Sequence, residues 1–250
     1  MKPHIYVVGF GPGDRLYMTQ QAIDAITGAD LVVGYTTYIR LLEEQFPGLH
    51  YFSTPMRKET DRCRAAVEEA LAGKTVALVS SGDSGIYGMA GVLLEIAAEM
   101  QADVEVTAVP GVTAASAASA VLGAPLMHDF AVISLSDCMT PLELIWHRVS
   151  LAAEADFVIC LYNPKSRSRT EYLAKAAALI RQHRAPETPV GIVRNAGRAD
   201  ENAWITTLER LPEEPVDMFC VVLIGNSQTY VQRGKMITPR GYCIQRESEG

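Results

Sequence analysis

The chain has 250 residues, 48% of them hydrophobic, which is enough for one large packed domain or two small ones. Its formal charge of −7 excludes general nucleic-acid binding, which needs net or strongly segregated positive charge, so any anionic ligand must be met by a local cluster of Lys and Arg. The longest apolar runs, around residues 92–98 and 219–225, are too short to span a bilayer, and the first strand-like run begins too soon after Met1 for a signal peptide, so a cytoplasmic protein without a membrane segment is expected.

Short β-branched runs alternate with longer segments of helical period, the pattern of an α/β architecture with a mainly parallel sheet. Residues 5–8 read as the first strand, followed by a Gly-Pro loop and a helix carrying Ala22, Ile23, Ala25 and Ile26. Strands at 31–33, 75–80 and 104–109 follow, with helices at 38–46, at 87–100 and in the Ala-rich stretch to Leu122. Gly123-Ala124-Pro125 then interrupts the periodicity, which places a boundary between a first α/β domain, 1–124, and a second, 125–250. In the second, 131–135, 157–162, 190–193 and 219–224 read as strands. Thr140-Pro141-Leu142-Glu143 and Ser168-Arg169-Thr170-Glu171 carry the pattern of a capping box, which predicts helix starts there. The tail after Glu247 is expected to fray.

The five cysteines, Cys63, Cys138, Cys160, Cys220 and Cys243, are odd in number and lack C-x-x-C spacing; the five histidines form no H-x-x-x-H pair. Neither a disulfide framework nor a protein-held metal is expected, and Cys160 and Cys220, inside apolar runs, read as core.

Four loops follow predicted strands, and in an α/β sheet such loops gather at the carboxyl ends, where ligands bind. The first, Gly9-Phe10-Gly11-Pro12-Gly13-Asp14, invites a dinucleotide reading that fails in detail: Asp14 replaces the third glycine, Pro12 removes an N–H, and Gly34 and Tyr35 stand where an acidic residue would end the second strand. The others are Ser80-Ser81-Gly82-Asp83-Ser84-Gly85-Ile86, Pro110-Gly111-Val112-Thr113-Ala114 and Tyr162-Asn163-Pro164. Their small residues let a ligand approach the backbone, although each glycine taken singly is more often just a turn.

Taken in order, GxGPGD, SGDSGIYG, VPGVTA, LYNP and RNAGR resemble the tetrapyrrole (corrin and porphyrin) methylase family of S-adenosylmethionine-dependent enzymes, over about residues 5–242. Within it, His128-Asp129-Phe130, Ser134-Leu135-Ser136-Asp137 and the LYNPKS run from Leu161 to Ser166 are similar to the branch that methylates C17 of precorrin-3B or its cobalt analogue. The resemblance implies two α/β domains with the cofactor in the cleft between them, a homodimer, and ring contraction alongside methylation. By position it carries cofactor contacts to Pro12, Ser81, Gly82, Asp83, Ile86, Thr113, Ala114, Asn163 and Ala196. Uroporphyrinogen-methylating relatives have an Asp proposed as proton acceptor where this chain has Tyr35, so their acid/base scheme does not transfer.

A precorrin carries many carboxylates, which gives the cations a purpose on the same reading. Arg57, Lys58 and Arg62 cluster before and within one helix, Lys165, Arg167 and Arg169 crowd the start of another, and Arg194 and Arg198 flank Asn195-Ala196-Gly197; a solvated charged face is the plainer alternative. Methyl transfer from a sulfonium asks chiefly for alignment in a dry cleft, whereas contraction must move protons, for which Asp137, Tyr35 and Lys58 are the candidates. Two rivals stay open: a family member acting on another tetrapyrrole carbon, and a nucleotide-binding oxidoreductase.

Overall fold

The structure, a computed structural model, describes residues 2–242, so Cys243 and the tail after Glu247 lie outside the described residues. The chain forms two compact units: one takes the chain up to Ala114 together with Gly197–Ala199, the other Ala115–Ala196 and the chain from Asp200 onward.

The first unit contains β1 (His4–Gly9), α1 (Gln20–Thr27), β2 (Leu31–Tyr35), α2 (Thr36–Gln45), β3 (Tyr51–Thr54), α3 (Glu59–Leu71), β4 (Thr75–Ser80), α4 (Ala90–Glu99) and β5 (Glu105–Val109). Its sheet runs β3-β2-β4-β1-β5 with every pair parallel. The apolar runs are continuous because both faces are covered. Alternate residues serve opposite faces: Val7, Val33, Val76 and Leu78 pack with Cys63, Val67 and Leu93 of α3 and α4, while Val8, Val32, Ala77 and Val79 pack with Ile26 and Leu42 of α1 and α2. Thr19 caps α1, its hydroxyl accepting from the Ala22 N–H at 3.1 Å. The edge strand β3 has no periodic signal, since its central residues Phe52 and Ser53 are exposed; pairing with β2 creates it.

The second unit contains α5 (Ala114–Leu122), β6 (Gly123–Ala124), β7 (Phe130–Ser134), α6 (Leu142–Glu154), β8 (Val158–Tyr162), α7 (Tyr172–Ile180), β9 (Pro189–Arg194), β10 (Asn202–Thr207), β11 (Cys220–Ile224), β12 (Tyr230–Gln232) and β13 (Lys235–Ile237). Its main sheet runs β10-β9-β11-β8-β7, and here the expectation of a mainly parallel sheet is corrected: β7 and β8 are parallel, but the other three pairs are antiparallel. The unanticipated β10 returns alongside β9 and reverses the direction. A small sheet β12-β13-β6 accompanies it. Helices α6 and α7 share one core with alternate residues of the main sheet, among them Ile133, Ile159, Leu161, Ile192 and Val222.

The division falls at Ala114/Ala115 rather than in the predicted 123–129 segment. Helix α5 is anchored to the second unit: Leu122 lies against Gly191, where an added Cβ would come within 2.4 Å of its Cδ1, and the Ala115 N–H donates to the Tyr162 hydroxyl at 2.7 Å. Gly123-Ala124 does interrupt the helix, but to form β6. The two capping boxes are not formed. Pro141 is extended (ψ 133°), so α6 begins at Leu142, and α7 begins at Tyr172 after Glu171; neither start has a side-chain cap. Burial pushes the thiols of Cys63 and Cys160 up to about 12 and that of Cys220 up to about 11, as fits inert core residues.

Candidate active site

All strands of the first sheet are parallel, so the loops after β1, β4 and β5 leave from one edge. They interlock through backbone. Gly11 and Gly82 exchange two hydrogen bonds, Gly11 N–H to the Gly82 carbonyl at 3.0 Å and Gly82 N–H to the Gly11 carbonyl at 2.7 Å. A Cβ on Gly9 would lie 2.6 Å from the Ser84 nitrogen, and one on Gly111 2.2 Å from the Gly82 oxygen. Two of these glycines are therefore fixed by close approach, and Gly82 by its positive φ of 75°.

Asp83 clasps the assembly. Its Oδ1 accepts from the N–H groups of Gly85 at 2.8 Å and Ile86 at 3.1 Å, and its Oδ2 accepts from Gly111 at 2.9 Å. Ser84, buried, donates to the Val109 carbonyl at 3.0 Å, and Ser81 to the Gly11 carbonyl at 3.3 Å. The side chain of Asp83, a predicted cofactor contact, thus serves to shape the loop. The start of α4, predicted from residue 87, is delayed to Ala90: Gly85 and Ile86 are tied to the carboxylate, the Ala90 N–H donates to the Ser84 carbonyl at 2.9 Å, and a Cβ on Gly88 would lie 2.4 Å from the carbonyl oxygens of Asp83 and Ser84.

The remaining predicted cofactor residues of this unit lie on the same loops. Pro12 is buried and its carbonyl accepts from Arg198 Nε at 3.1 Å, while Gly197 accepts from the Asp14 N–H at 2.9 Å; this lock was not foreseen. Ile86 is exposed, and beside Gly82 the nearest atom in the direction of a Cβ is Thr113 Cα at 3.9 Å, immediately before Ala114. The small neutral lining, the room beside Gly82 and the buried Ser80 hydroxyl, which has no partner among the described residues, fit an adenosyl or methionyl group.

Of the cations here, Arg57, with φ of 65°, is exposed, and Lys58 is exposed and paired with Asp61 at 2.8 Å. That hydrogen bond and charge raise the Lys58 ammonium above its ordinary pKa, so it keeps its proton at neutral pH and is a poor base. Arg62, read with them in sequence, is 3% exposed and structurally apart. Tyr35 ends β2 with its ring edge-on to Tyr38 at 5.2 Å. Burial, ahead of nearby charges, raises the Tyr38 phenol.

In the second unit, β9 runs in the same direction as β7 and β8, since β11 lies antiparallel to both β8 and β9. The ends of β7, β8 and β9 therefore share an edge, which brings together Ser134–Asp137, Asn163–Arg169 and Arg194–Ala196. Asn163, with φ of 50°, donates its amide to the Ser134 hydroxyl at 3.0 Å. Asp137 is held by the Tyr172 hydroxyl at 2.8 Å and by Arg169 at 3.5 Å, and Arg169 also donates to the Ser136 hydroxyl at 2.7 Å. The Tyr172 hydrogen bond, aided by Arg169, lowers the Asp137 pKa. Lys165 is half-buried and Arg167 exposed. Arg194 is engaged by Asp217 at 2.9 Å, and Ala196 is buried. Tyr172 and Arg169 hold Asp137 from 35 and 32 positions along the chain, separations that no local sequence pattern spans.

His128-Asp129-Phe130 falls at the other edge of this sheet, where a cavity of about 290 Å³ is lined by His128, Asp129, Asp156, Asn226, Gln228 and Arg240, among others. Asp156 there is already bound by Arg184 at 2.7 Å and by Ser227. Among the described residues no group of three His, Cys, Asp or Glu side chains is placed to hold a metal, and no helix is long and apolar enough to cross a membrane.

The chain is 52% identical over 238 residues to a probable cobalt-factor III C(17)-methyltransferase of Salmonella typhimurium, covering 95% of this chain and 99% of that one. It is 39% identical over 247 residues to a precorrin-3B C(17)-methyltransferase of a Sinorhizobium species, covering 96% and 97%. The crystal structure of the methyltransferase CobJ superposes with a TM-score of 0.87 at 34% identity, over 94% of this chain and 99% of that one. A model of the Tetrapyrrole (Corrin/Porphyrin) Methylases matches residues 4–212, which contain the interlocked Gly loops, the Asp83 clasp and the Asp137 network, and the chain belongs to that family.

Proposed function

We propose that this chain transfers a methyl group from S-adenosylmethionine to C17 of cobalt-factor III or precorrin-3B, with the accompanying ring contraction of cobalamin biosynthesis. The observation that carries the reading is the 52% identity, along nearly the whole of both chains, with a relative named for that carbon. The same comparison favours the cobalt form, since identity falls to 39% with the relative named for precorrin-3B. A homodimer and a cytoplasmic location belong to the proposal as well.

S-adenosylmethionine, when bound, supplies a methyl group on a sulfonium that is already a good leaving group. The chain's task is placement. Backbone groups of Gly82, Thr113 and Ala114, on loops fixed by Asp83, are assigned to hold it, and Ile86 to shield it from water. In the second unit Asn163 and Ala196 are its proposed contacts. Arg57, Lys165 and Arg167 are assigned to substrate carboxylates; Arg194 can join them only by sharing or leaving Asp217.

Contraction needs proton transfers, and of the candidates Asp137 is an anion at neutral pH and Lys58 a cation. Asp137 is therefore suited to stabilise positive charge and to fix Arg169 rather than to donate a proton. Its folded-state pKa is lowered, so its contribution is present in full above the ordinary carboxylate value of about 4 and is lost as pH falls through the lowered one. The expected result is that no limb of the kcat profile between pH 5 and 8 disappears in Asp137→Asn; disappearance of a limb in that window would return the proton-transfer role to Asp137.

The reading is tested by incubating the purified chain with S-adenosylmethionine and each substrate form, with mass analysis of the product and NMR location of the methyl carbon. One methyl at C17 on a contracted ring is expected, with faster turnover of the cobalt form. A methyl on another carbon would move the chain to a different place within the family, and binding of a nicotinamide dinucleotide without S-adenosylhomocysteine binding would favour the oxidoreductase.

A further inference from the structure

Arg62 is the most deeply buried cation among the described residues, 3% exposed on α3. Its Nε donates to the Thr54 hydroxyl at 3.0 Å, one terminal nitrogen to the Pro55 carbonyl at 3.3 Å, and the other to the Met89 sulfur at 3.7 Å. Its Cζ stands 6.0 Å from the centre of the Tyr35 ring. Among the described residues none of these partners is a carboxylate, and Glu59 acts on the guanidinium only through space. A buried charge is ordinarily paired, because desolvation disfavours it strongly; here burial is the foremost influence and lowers the Arg62 pKa, and the through-space attraction of Glu59 opposes it.

The partners share a location. Thr54 ends β3, Tyr35 ends β2, and Met89 closes the loop that begins at Gly82, so the guanidinium sits beneath the ligand edge of the first sheet. Pro55, to which it is tied, lies two residues before Arg57, in the loop assigned to substrate carboxylates. Holding that edge together would not call for a charge: neutral donors could reach a hydroxyl and a carbonyl. A lone positive charge screened from water does what a neutral donor cannot, because its field reaches the edge with little attenuation.

We propose that Arg62 is a positioning residue whose charge, hydrogen-bonded to no carboxylate and set under the loop from Thr54 to Lys58, draws the peripheral carboxylates of the tetrapyrrole to that loop without touching them. This rests on the proposed function, so binding and methylation of a tetrapyrrole by the parent are measured first; failure there overturns the functional reading itself. The probes are uroporphyrin and the same macrocycle with its acetates decarboxylated to methyl groups, with S-adenosylhomocysteine as control.

Arg62→Met removes the charge together with the hydrogen bonds to Thr54 and Pro55 and keeps an apolar stem of similar length. Its affinity for uroporphyrin is expected to fall about tenfold and that for the decarboxylated ring less than about threefold, with S-adenosylhomocysteine binding unchanged and KM rather than kcat affected. Arg62→Lys, which keeps a charge, is expected to stay within about threefold of the parent for all three probes. A Met variant that binds uroporphyrin like the parent, or loses all three probes alike, overturns the proposal. So does a folded Lys variant that loses more than tenfold for uroporphyrin, which decides the matter should the Met variant not fold.

Discussion

Gly111→Ala is expected to abolish measurable S-adenosylhomocysteine binding and to lower stability by about 3 kcal/mol, at the upper end of ordinary overpacking. The added methyl would lie 2.2 Å from the Gly82 oxygen and 2.4 Å from the Gly9 oxygen, distances that no contact of carbon with oxygen sustains. Both neighbours are backbone, so no side-chain rotation relieves the clash. The loops after β1, β4 and β5 must instead part, breaking the paired Gly11–Gly82 hydrogen bonds and the Asp83 bond to the Gly111 N–H. Gly91→Ala is the control: it stands in α4 with nothing within 4 Å of its Cβ direction, and is expected to be neutral or to stabilise by up to about 1 kcal/mol through helix propensity. Calorimetry with S-adenosylhomocysteine and thermal unfolding check both, and parent-like binding by Gly111→Ala would show that the edge built by these loops is not the cofactor's.

The second large effect is at Asp83. Removing its carboxylate in Asp83→Ala leaves the N–H groups of Gly85, Ile86 and Gly111 without their acceptor. A hydrogen bond to a charged group is worth about 1.5–3 kcal/mol, but the Gly85 and Ile86 groups are exposed enough for water to replace part of the loss, so a total of about 3 kcal/mol is expected. Asp83→Asn discriminates further. Its amide oxygen can still accept from Gly85 and Ile86, but the amide nitrogen then faces the Gly111 N–H, donor against donor. Its loss of cofactor affinity is therefore expected to lie nearer to that of the Ala variant than to the parent. Urea unfolding and cofactor titration measure the two consequences separately; an Asn variant indistinguishable from the parent would mean that the Gly111 bond contributes nothing to the loop's shape.

Arg62 shows why the sequence grouped residues that the fold separates. Arg57, Lys58 and Arg62 are near neighbours in sequence and read as one cationic cluster, but Arg57 and Lys58 precede α3 whereas Arg62 lies within it, on the face turned to the sheet with Cys63 and Ala66. A single Arg among apolar positions gives no sign of whether its head reaches solvent. Asp83 shows the opposite case. Its place directly after Gly82 and before Ser84-Gly85 is a turn signal legible in the sequence, but the Gly111 N–H that completes the clasp lies 28 residues away.

The sequence by itself determined the alternation of strands and helices, the faces those helices bury, the glycine loops and the family, because each is written in local periodicity or in motifs of a few residues. It could not set strand direction in the second sheet. An apolar run buried on both faces reads the same whichever way its neighbour runs, and the reversal depends on β10, whose residues are at most half-buried and give little pattern. Nor could it assign α5, whose small apolar residues suit either unit until Leu122 meets Gly191. The tertiary structure alone decided which carboxylates are free for chemistry. Asp83 and Asp137 are both engaged by groups distant in the chain, and the energy of those contacts depends on proximity in space, which neither composition nor spacing encodes.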